Sequence, residues 1–236
     1  MNKLPGGALA SRPLHFFWIV DCSGSMAGKK MQELNFAIKE SLPEMRKVAE
    51  ENPNAQVFVR AVTFSSGAQW HVARATPVAE FRWEELKAGG ETSMGKALKM
   101  VADQLSPEAM PGRGLPPVLV LISDGRPTDD FNSGLRALME QPWGKRAARI
   151  AIAIGDDADV DILQKFIGHP EMTPLVAHNA PDLVNYIKWA STAVLKSASS
   201  PTSQMETNQA GAGAPVGITV PLPAAPEPAQ DVEDVW

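Results

Sequence analysis

The chain has 236 residues, of which 44% are hydrophobic and 21% are charged, as is typical of a soluble globular protein. Its net charge of −5 arises in the last forty residues, which hold five acids and no base, so residues 1–196 are formally neutral. A neutral core argues against a general nucleic-acid-binding protein. The single cysteine excludes an intramolecular disulfide, and no apolar run resembles a signal peptide or a membrane span. These features predict a cytoplasmic protein.

Short apolar stretches alternate with segments of helical periodicity along most of the chain. Strands are predicted over residues 14–20, 56–65, 68–72, 118–123, 148–154 and 174–177. Helices are predicted over residues 29–50, 92–105, 129–142, 160–167 and 181–195, with a kink or restart at Pro43. Ser66-Gly67 suits a hairpin, so the third strand is expected to be antiparallel and at an edge. The alternation predicts an α/β fold whose mostly parallel sheet carries helices on both faces.

The composition divides the chain into three parts. Residues 1–13 predict a flexible N-terminal lead, residues 14–196 a single domain, and residues 197–236 a disordered tail rich in Pro and Ala. Within the tail, residues 216–222 alternate like a strand. An alternative interpretation is therefore that the tail is a short linear motif that binds a partner or another copy of the chain.

Oxygen-bearing side chains follow two of the predicted strands. Asp21, Ser23 and Ser25 occur at alternate positions directly after the first apolar strand, and Asp124 follows the fourth. Thr92 precedes a helix. Ligands of such sheets bind beyond the carboxyl ends of the strands, where strand order reverses. If the first and fourth strands are neighbours, these five side chains surround one hard divalent cation such as Mg²⁺, with Mn²⁺ or Ca²⁺ as alternatives.

Other residues are expected to support this site without binding the ion directly. They are Gly24, Gly90, Ser93 and Gly125 in the same loops, and Asp156 and Asp157 after the fifth strand, although a solvated loop explains the last two equally well. Asp129 and Asp130 are interpreted as helix caps.

Three other interpretations of these residues carry less weight. Residues 90–97 nearly match a phosphate-binding P-loop, but Ala97 replaces the required hydroxyl and no apolar strand precedes them. Cys22 is expected to be a buried small hydrophobe rather than a reactive thiol. The four histidines lack ligand-like spacing, so a zinc site is not expected.

The full pattern resembles that of a known family. Asp21-x-Ser23-x-Ser25, Gly90-x-Thr92 and Ser123-Asp124-Gly125 are similar to the metal-ion-dependent adhesion site (MIDAS) of von Willebrand factor A (vWA) domains, over residues 14–196. The resemblance implies a doubly wound, Rossmann-like sheet of strand order 3-2-1-4-5-6 with the third strand antiparallel. It also implies a Mg²⁺ ion whose last ligand is an Asp or Glu carboxylate of a protein partner.

A narrower resemblance concerns one bacterial branch of that family. The motifs are Asn52-Pro53-Asn54-Ala55, Arg82-Trp83, Pro142-Trp143-Gly144-Lys145 and Ala151-Ile152-Ala153-Ile154-Gly155. They are similar to those of the TerY-like branch, which is linked to tellurium resistance. This resemblance implies a stress-response role beside a protein kinase and a PP2C-type phosphatase.

Three functions are compatible with the sequence. The leading hypothesis is a metal-dependent protein-binding module and not an enzyme, because no general base accompanies the site residues. The second is a Mg²⁺-dependent phosphoryl-transfer enzyme or phospho-acceptor using Asp21, which would need a lysine such as Lys29, Lys30 or Lys96. The third is a scaffold that binds through its tail and ignores the metal.

Overall fold

The computed structural model describes residues 11–198 except 53, 111, 113 and 157, and every structural statement below concerns these residues. Most of the predicted tail, most of the predicted lead and Asp157 lie outside them. Residues 197 and 198, which the sequence assigns to the tail, are helical, so the folded domain extends slightly further than predicted. No helix in the described part of the chain combines the length and hydrophobicity needed to cross a bilayer.

Six strands and six helices alternate along the described chain. The strands are β1 (Arg12–Asp21), β2 (Ala55–Phe64), β3 (Ala68–Pro77), β4 (Val118–Ser123), β5 (Ala148–Ile154) and β6 (Leu175–Ala177). The helices are α1 (Lys29–Glu50), α2 (Met94–Gln104), α3 (Phe131–Glu140), α4 (Pro142–Arg146), α5 (Val160–Ile167) and α6 (Ala180–Ala198), and a short 3₁₀ turn covers Gly24–Met26.

The strands form one sheet in the order β3-β2-β1-β4-β5-β6. Only β3 runs antiparallel to its neighbour. The predicted fold class and the implied strand order are therefore confirmed. The register pairs Val20 with Ile122, so the next residues, Asp21 and Ser123, end β1 and β4 side by side. This adjacency decides where the candidate site forms.

Successive residues of β1 point to opposite faces of the sheet and enter two separate cores. Phe16 and Trp18 pack in the core that α1 and α6 cover. Phe17 and Ile19 pack in the core that α2, α3 and α5 cover. Both cores exclude solvent, which explains why β1 is apolar on both faces and why it is a central strand.

Several elements differ from their predicted bounds. β1 begins at Arg12, inside the predicted lead, and β3 continues to Pro77 with irregular pairing to β2. α1 is continuous through Pro43, so the predicted restart is absent. The third predicted helix corresponds to α3, and the short α4 that starts at Pro142 was not predicted. Its Trp143 is buried and donates to the Met110 carbonyl oxygen at 2.8 Å.

A partly buried histidine makes the stability of this fold depend on pH. His15 stacks on Phe58 at a centroid distance of 5.6 Å. Burial, assisted by Arg60, lowers the pKa of His15 to about 4 from its ordinary 6.5. The unfolded chain therefore binds the proton more readily, and stability that is complete above pH 6.5 is lost as the pH falls towards 4.

His15→Phe is expected to remove most of this loss, which is of the order of 2 kcal/mol, because phenylalanine keeps the stacking without the proton. Urea unfolding of both proteins between pH 4 and pH 7 measures how steeply the free energy of unfolding changes with pH. A weaker slope will remain in the variant, since burial also lowers the pKa of His71. Identical slopes in the two proteins would show that His15 is not responsible.

Candidate metal centre

The predicted site lies at the carboxyl edge of β1 and β4, where three loops meet. Asp21 ends β1 and is 0% exposed, and Asp124 follows β4 and is 1% exposed. Ser23 and Thr92 are also buried, whereas Ser25 in the 3₁₀ turn faces solvent. The floor of the site is therefore two buried carboxylates, and its opening is on the Ser25 side.

Hydrogen bonds connect four of the five predicted residues. The Ser23 amide donates to Asp21 Oδ1 at 2.8 Å. The Ser23 and Ser25 hydroxyl oxygens lie 3.0 Å apart. The Ser25 hydroxyl donates to Asp124 Oδ1 at 2.8 Å, across 99 positions of sequence. The first loop and the Asp124 loop are thus joined through their side chains.

Thr92, the fifth residue, joins the group beside Gly125. A Cβ built on Gly125 would lie 3.6 Å from Ser25 Oγ and 3.8 Å from Thr92 Oγ1, so both hydroxyls converge on this glycine. The main chain of Thr92 is fixed by Thr128, whose hydroxyl accepts from the Thr92 amide at 3.1 Å. The structure therefore brings together all five predicted residues.

Backbone hydrogen bonds join the loop that follows β1 to the Gly90–Thr92 loop. The Gly24 amide donates to the Gly90 carbonyl oxygen at 2.9 Å, and the Gly89 amide to that of Cys22 at 2.8 Å. Gly90 has a φ of +86°, and a Cβ there would lie 2.4 Å from Ser66 Oγ. This position thus favours glycine for conformational and steric reasons.

Two residues of the site were not among the predicted set. Ser123 is fully buried, and its hydroxyl donates to Asp21 Oδ2 at 2.5 Å. Lys30, in the first turn of α1, donates from Nζ to Asp124 Oδ2 at 2.8 Å. If the β1–β4 register had been known, it would have placed Ser123 beside Asp21. The sequence indicates Lys30 only as a possible partner of a phosphoryl group, because a lysine at a helix start looks like a solvated residue.

The electrostatics of the site favour a positive charge beside Asp21. Burial raises the pKa of Asp21, and the neighbouring Asp124 raises it further, while hydrogen bonds from Ser123 and Ser23 lower it. The ionised carboxylate is therefore insufficiently stabilised by its own surroundings. A cation placed among the five oxygen-bearing side chains would supply the missing stabilisation.

The acidic caps occupy positions that a phosphate would need. Asp129 accepts from the Gly95 and Lys96 amides, both at 2.8 Å, at the start of α2. Asp130 caps its own helix, α3, by accepting from the Ser133 amide. Both residues are caps, as predicted, but Ser93 makes no side-chain cap bond to α2. Because a carboxylate already occupies the α2 amides, residues 90–97 do not form a phosphate-binding loop.

In the described part of the chain, none of the hydrogen bonds to the two carboxylates comes from Cys22 or Asp156. Cys22 is buried in the α1 side of the core, and burial raises the pKa of its thiol to about 12, which confirms the structural interpretation. Asp156 is exposed and lies 2.5 Å from the Nδ1 atom of His178. Its interaction is therefore with His178 at the surface.

A buried asparagine of α1 fixes the segment that leads into the Gly90–Thr92 loop. Asn35 Oδ1 accepts from the Leu86 amide and from Trp83 Nε1, both at 2.9 Å, and Asn35 Nδ2 donates to the Leu86 carbonyl oxygen at 3.0 Å. One amide side chain thus makes three hydrogen bonds in a mostly buried position, which links α1 to the segment before Gly89.

Asn35→Leu is expected to lower the free energy of unfolding by about 2–3 kcal/mol, because three polar groups lose their partner in a buried place. Gln32→Leu is the matched control, since Gln32 is exposed one turn earlier on the same helix and should change stability by less than about 0.5 kcal/mol. Chemical denaturation compares the two. Equal effects would mean that Asn35 has no special role.

The donor set fits a hard divalent cation. The five side chains offer two carboxylates and three hydroxyls, which are the oxygen ligands that such cations take, often together with water. No three residues among His, Cys, Asp and Glu in the described chain come together as an alternative metal cluster. Asp21, Ser23, Ser25, Thr92 and Asp124 therefore form a candidate metal site.

Comparisons with known proteins give the same fold. The chain is 26% identical over 157 residues to human inter-alpha-trypsin inhibitor heavy chain H6, covering 63% of this chain and 12% of that protein. A von Willebrand factor type A protein from Catenulispora acidiphila superposes with a TM-score of 0.54 at 17% identity, covering 78% of this chain and 43% of that one.

Proximal thread matrix protein 1 from the mussel byssus, solved with a zinc-occupied MIDAS motif, superposes with a TM-score of 0.56 at 18% identity. The match covers 77% of this chain and 48% of that one. The chain thus spans a small part of its curated relative and less than half of these structures. The profile of the von Willebrand factor type A domain matches residues 17–186, most of the sequence, and the chain belongs to that family.

Proposed function

We propose that the protein is a metal-dependent protein-binding module. Asp21, Ser23, Ser25, Thr92 and Asp124 would hold one divalent cation, and a carboxylate of a protein partner would complete its ligands. The observation that supports this most strongly is the Ser25–Asp124 hydrogen bond of 2.8 Å, which joins two distant loops in one cluster of oxygen atoms. The bound cation would supply a Lewis-acidic position for the partner's oxygen atom.

The ion that we propose first is Mg²⁺, with Mn²⁺ or Ca²⁺ as alternatives. Hard oxygen ligands and two carboxylates suit all three. The zinc found in the MIDAS motif of the mussel protein is a further candidate for this chain. Calorimetric titration with each ion would rank them.

The composition of the site favours binding over catalysis. Asp21 and Asp124 are the acids of the cluster, and both accept hydrogen bonds. Among the described residues, the hydrogen bonds to these two carboxylates come from serine, lysine and a backbone amide, and none comes from a histidine. A general base held ready for proton transfer is the feature that an enzyme would need here.

The phospho-acceptor alternative is less compatible with the surroundings of Asp21. Both of its oxygens accept hydrogen bonds, and the residue is 0% exposed, so a phosphodonor cannot reach it without rearrangement. The nearby lysine, Lys30, donates to Asp124 Oδ2. Incubation with acetyl phosphate followed by intact-mass measurement tests this alternative, and covalent phosphate on Asp21 would favour the enzyme.

The surface beside the site also has the character of a protein-binding face. A groove of about 400 Å³ runs between α1 and residues 85–88, and its lining includes Ala27, Gly28, Met31, Phe36 and Leu86. It begins directly after the 3₁₀ turn that carries Ser25. The Phe36 side chain is 52% exposed, and an exposed aromatic residue next to a polar site is common in protein interfaces.

The cellular setting that we propose follows the TerY-like motifs. It is a bacterial, cytoplasmic stress-response or tellurium-resistance system in which the partners are a protein kinase and a PP2C-type phosphatase. Two of the motif tryptophans have structural roles here, because Trp83 donates to Asn35 and Trp143 to the Met110 carbonyl oxygen. Because these tryptophans also serve the fold, neither of them alone indicates the TerY-like branch, and the proposal depends on all four motifs together.

The function is tested by affinity capture of partners from the source cells. The full chain, immobilised in Mg²⁺, should retain a protein that is released by EDTA and is not retained by Asp21→Asn. Retention in EDTA, or equal retention by the variant, would contradict a metal-dependent module and would favour the scaffold hypothesis. Truncation after Ala198, where α6 ends, shows whether the part of the tail that lies outside the described residues contributes.

A further inference from the structure

Lys30 lies inside the proposed metal site and not on a solvated helix face. Its Nζ atom is 2.8 Å from Asp124 Oδ2, and the two side chains are 15% and 0% exposed. An ion pair between a fully buried carboxylate and a mostly buried ammonium is shielded from solvent. Such a pair interacts more strongly than the surface pairs elsewhere on this chain, such as Lys39–Glu85.

The helix itself does not explain a lysine at this position. Lys29 and Lys30 begin α1, and its first turn contains no acid. Positive charges are unfavourable at a helix N-terminus, because the helix dipole is positive there. The contact with Asp124 offsets this cost for Lys30.

The lysine changes the charge of the site at both stages of the proposed binding. Asp21 and Asp124 alone would give a formal charge of −2, which a divalent cation would cancel completely. With the Lys30 ammonium on Asp124, the same groups give −1, and addition of a divalent cation gives +1. Each oxygen of Asp124 has a different donor, since Oδ1 accepts from Ser25 and Oδ2 accepts from Lys30.

We infer that Lys30 sets the charge of the metal centre, weakening its affinity for the cation and strengthening the affinity of the loaded site for a partner's carboxylate. This inference rests on the proposed function. Repulsion between the ammonium and the cation opposes metal binding, whereas a positively charged loaded site attracts an anion. Lys30 is thus a specificity-determining residue that favours acidic partners.

The test compares Lys30→Met, which keeps the length of the side chain without its charge, with Lys30→Arg, which keeps the charge. Mn²⁺ alone is titrated into each full-length protein by calorimetry. Lys30→Met is expected to bind Mn²⁺ at least about tenfold more tightly than wild type, a difference of about 1.4 kcal/mol, and Lys30→Arg to stay within about threefold. Circular dichroism confirms folding, and Lys30→Gln serves if Lys30→Met fails to fold.

The second half of the test uses acetate as a simple carboxylate and follows water-proton relaxation by the bound Mn²⁺. Acetate is expected to bind Lys30→Met at least about threefold more weakly than wild type, opposite in sign to the metal effect. Equal Mn²⁺ affinity, or unchanged acetate affinity, would overturn the inference. Absence of Mn²⁺ binding to wild type would instead refute the proposed function, so the two failures are distinguishable.

Discussion

Asp21→Asn is expected to abolish divalent-cation binding and cation-dependent partner capture while leaving the metal-free protein folded. The carboxamide removes one of the two negative charges of the site, and loss of a direct ligand should weaken binding by at least about 100-fold, since even outer-shell changes cost 10- to 100-fold. The metal-free fold should change by no more than about 1 kcal/mol, because asparagine can still accept from the Ser23 amide.

Thermal unfolding with excess Mn²⁺ and with EDTA measures both effects. Wild type should gain about 2.7 kcal/mol at a cation concentration 100-fold above its dissociation constant, and Asp21→Asn should gain nothing. Asp156→Asn is the matched control, because Asp156 is an exposed acid at the same edge of the sheet, where it contacts His178. If Asp156→Asn loses the cation effect as well, the site has been assigned to the wrong carboxylates.

Gly95→Ala is expected to produce the largest loss of stability among the simple substitutions near the site. A Cβ at Gly95 would lie 2.4 Å from the Asp130 carbonyl oxygen, and a Cβ at Gly134 would lie 2.4 Å from the Gly95 carbonyl oxygen. The helices α2 and α3 therefore meet backbone to backbone. Neither contact is with a flexible side chain, so alanine must push the helices apart, at a cost of about 3 kcal/mol.

The same displacement should reach the metal centre, because α2 begins two residues after Thr92. Urea unfolding measures the stability, and a Mn²⁺ titration of the folded variant measures the site. Gly89→Ala is the control, since a Cβ there meets nothing within 4 Å, and it should change stability by less than about 0.5 kcal/mol. A Gly95→Ala protein as stable as Gly89→Ala would show that the helix contact tolerates a methyl group.

The sequence indicated the convergence of the five site residues because each follows a strand or precedes a helix at one edge of the sheet. Asp21 and Asp124 lie at the ends of apolar runs that are buried on both faces, and such runs are typical of central strands. Strand alternation indicated the class of fold. The strand order came from the family resemblance, since hydrophobic patterns do not determine which strands are adjacent.

The contacts that sequence analysis missed all join residues distant along the chain. Lys30 and Asp124 are 94 positions apart, and Asn35 and Leu86 are 51 apart. On a helical pattern, both Lys30 and Asn35 are ordinary polar positions. The short α4 was missed because Pro142 usually ends a helix, whereas here it begins a new one. Such features depend on packing, which a single sequence shows only indirectly.

A calorimetric titration of the full chain with Mn²⁺ shows whether the five side chains bind one divalent cation. The titration should compare wild type with Thr92→Ser, which keeps the hydroxyl, and with Thr92→Val, which replaces it with a methyl group of similar size. We expect a single equivalent of Mn²⁺ to bind wild type and Thr92→Ser with similar affinity, and Thr92→Val at least about tenfold more weakly. No binding to wild type, or equal binding to Thr92→Val, would contradict the account.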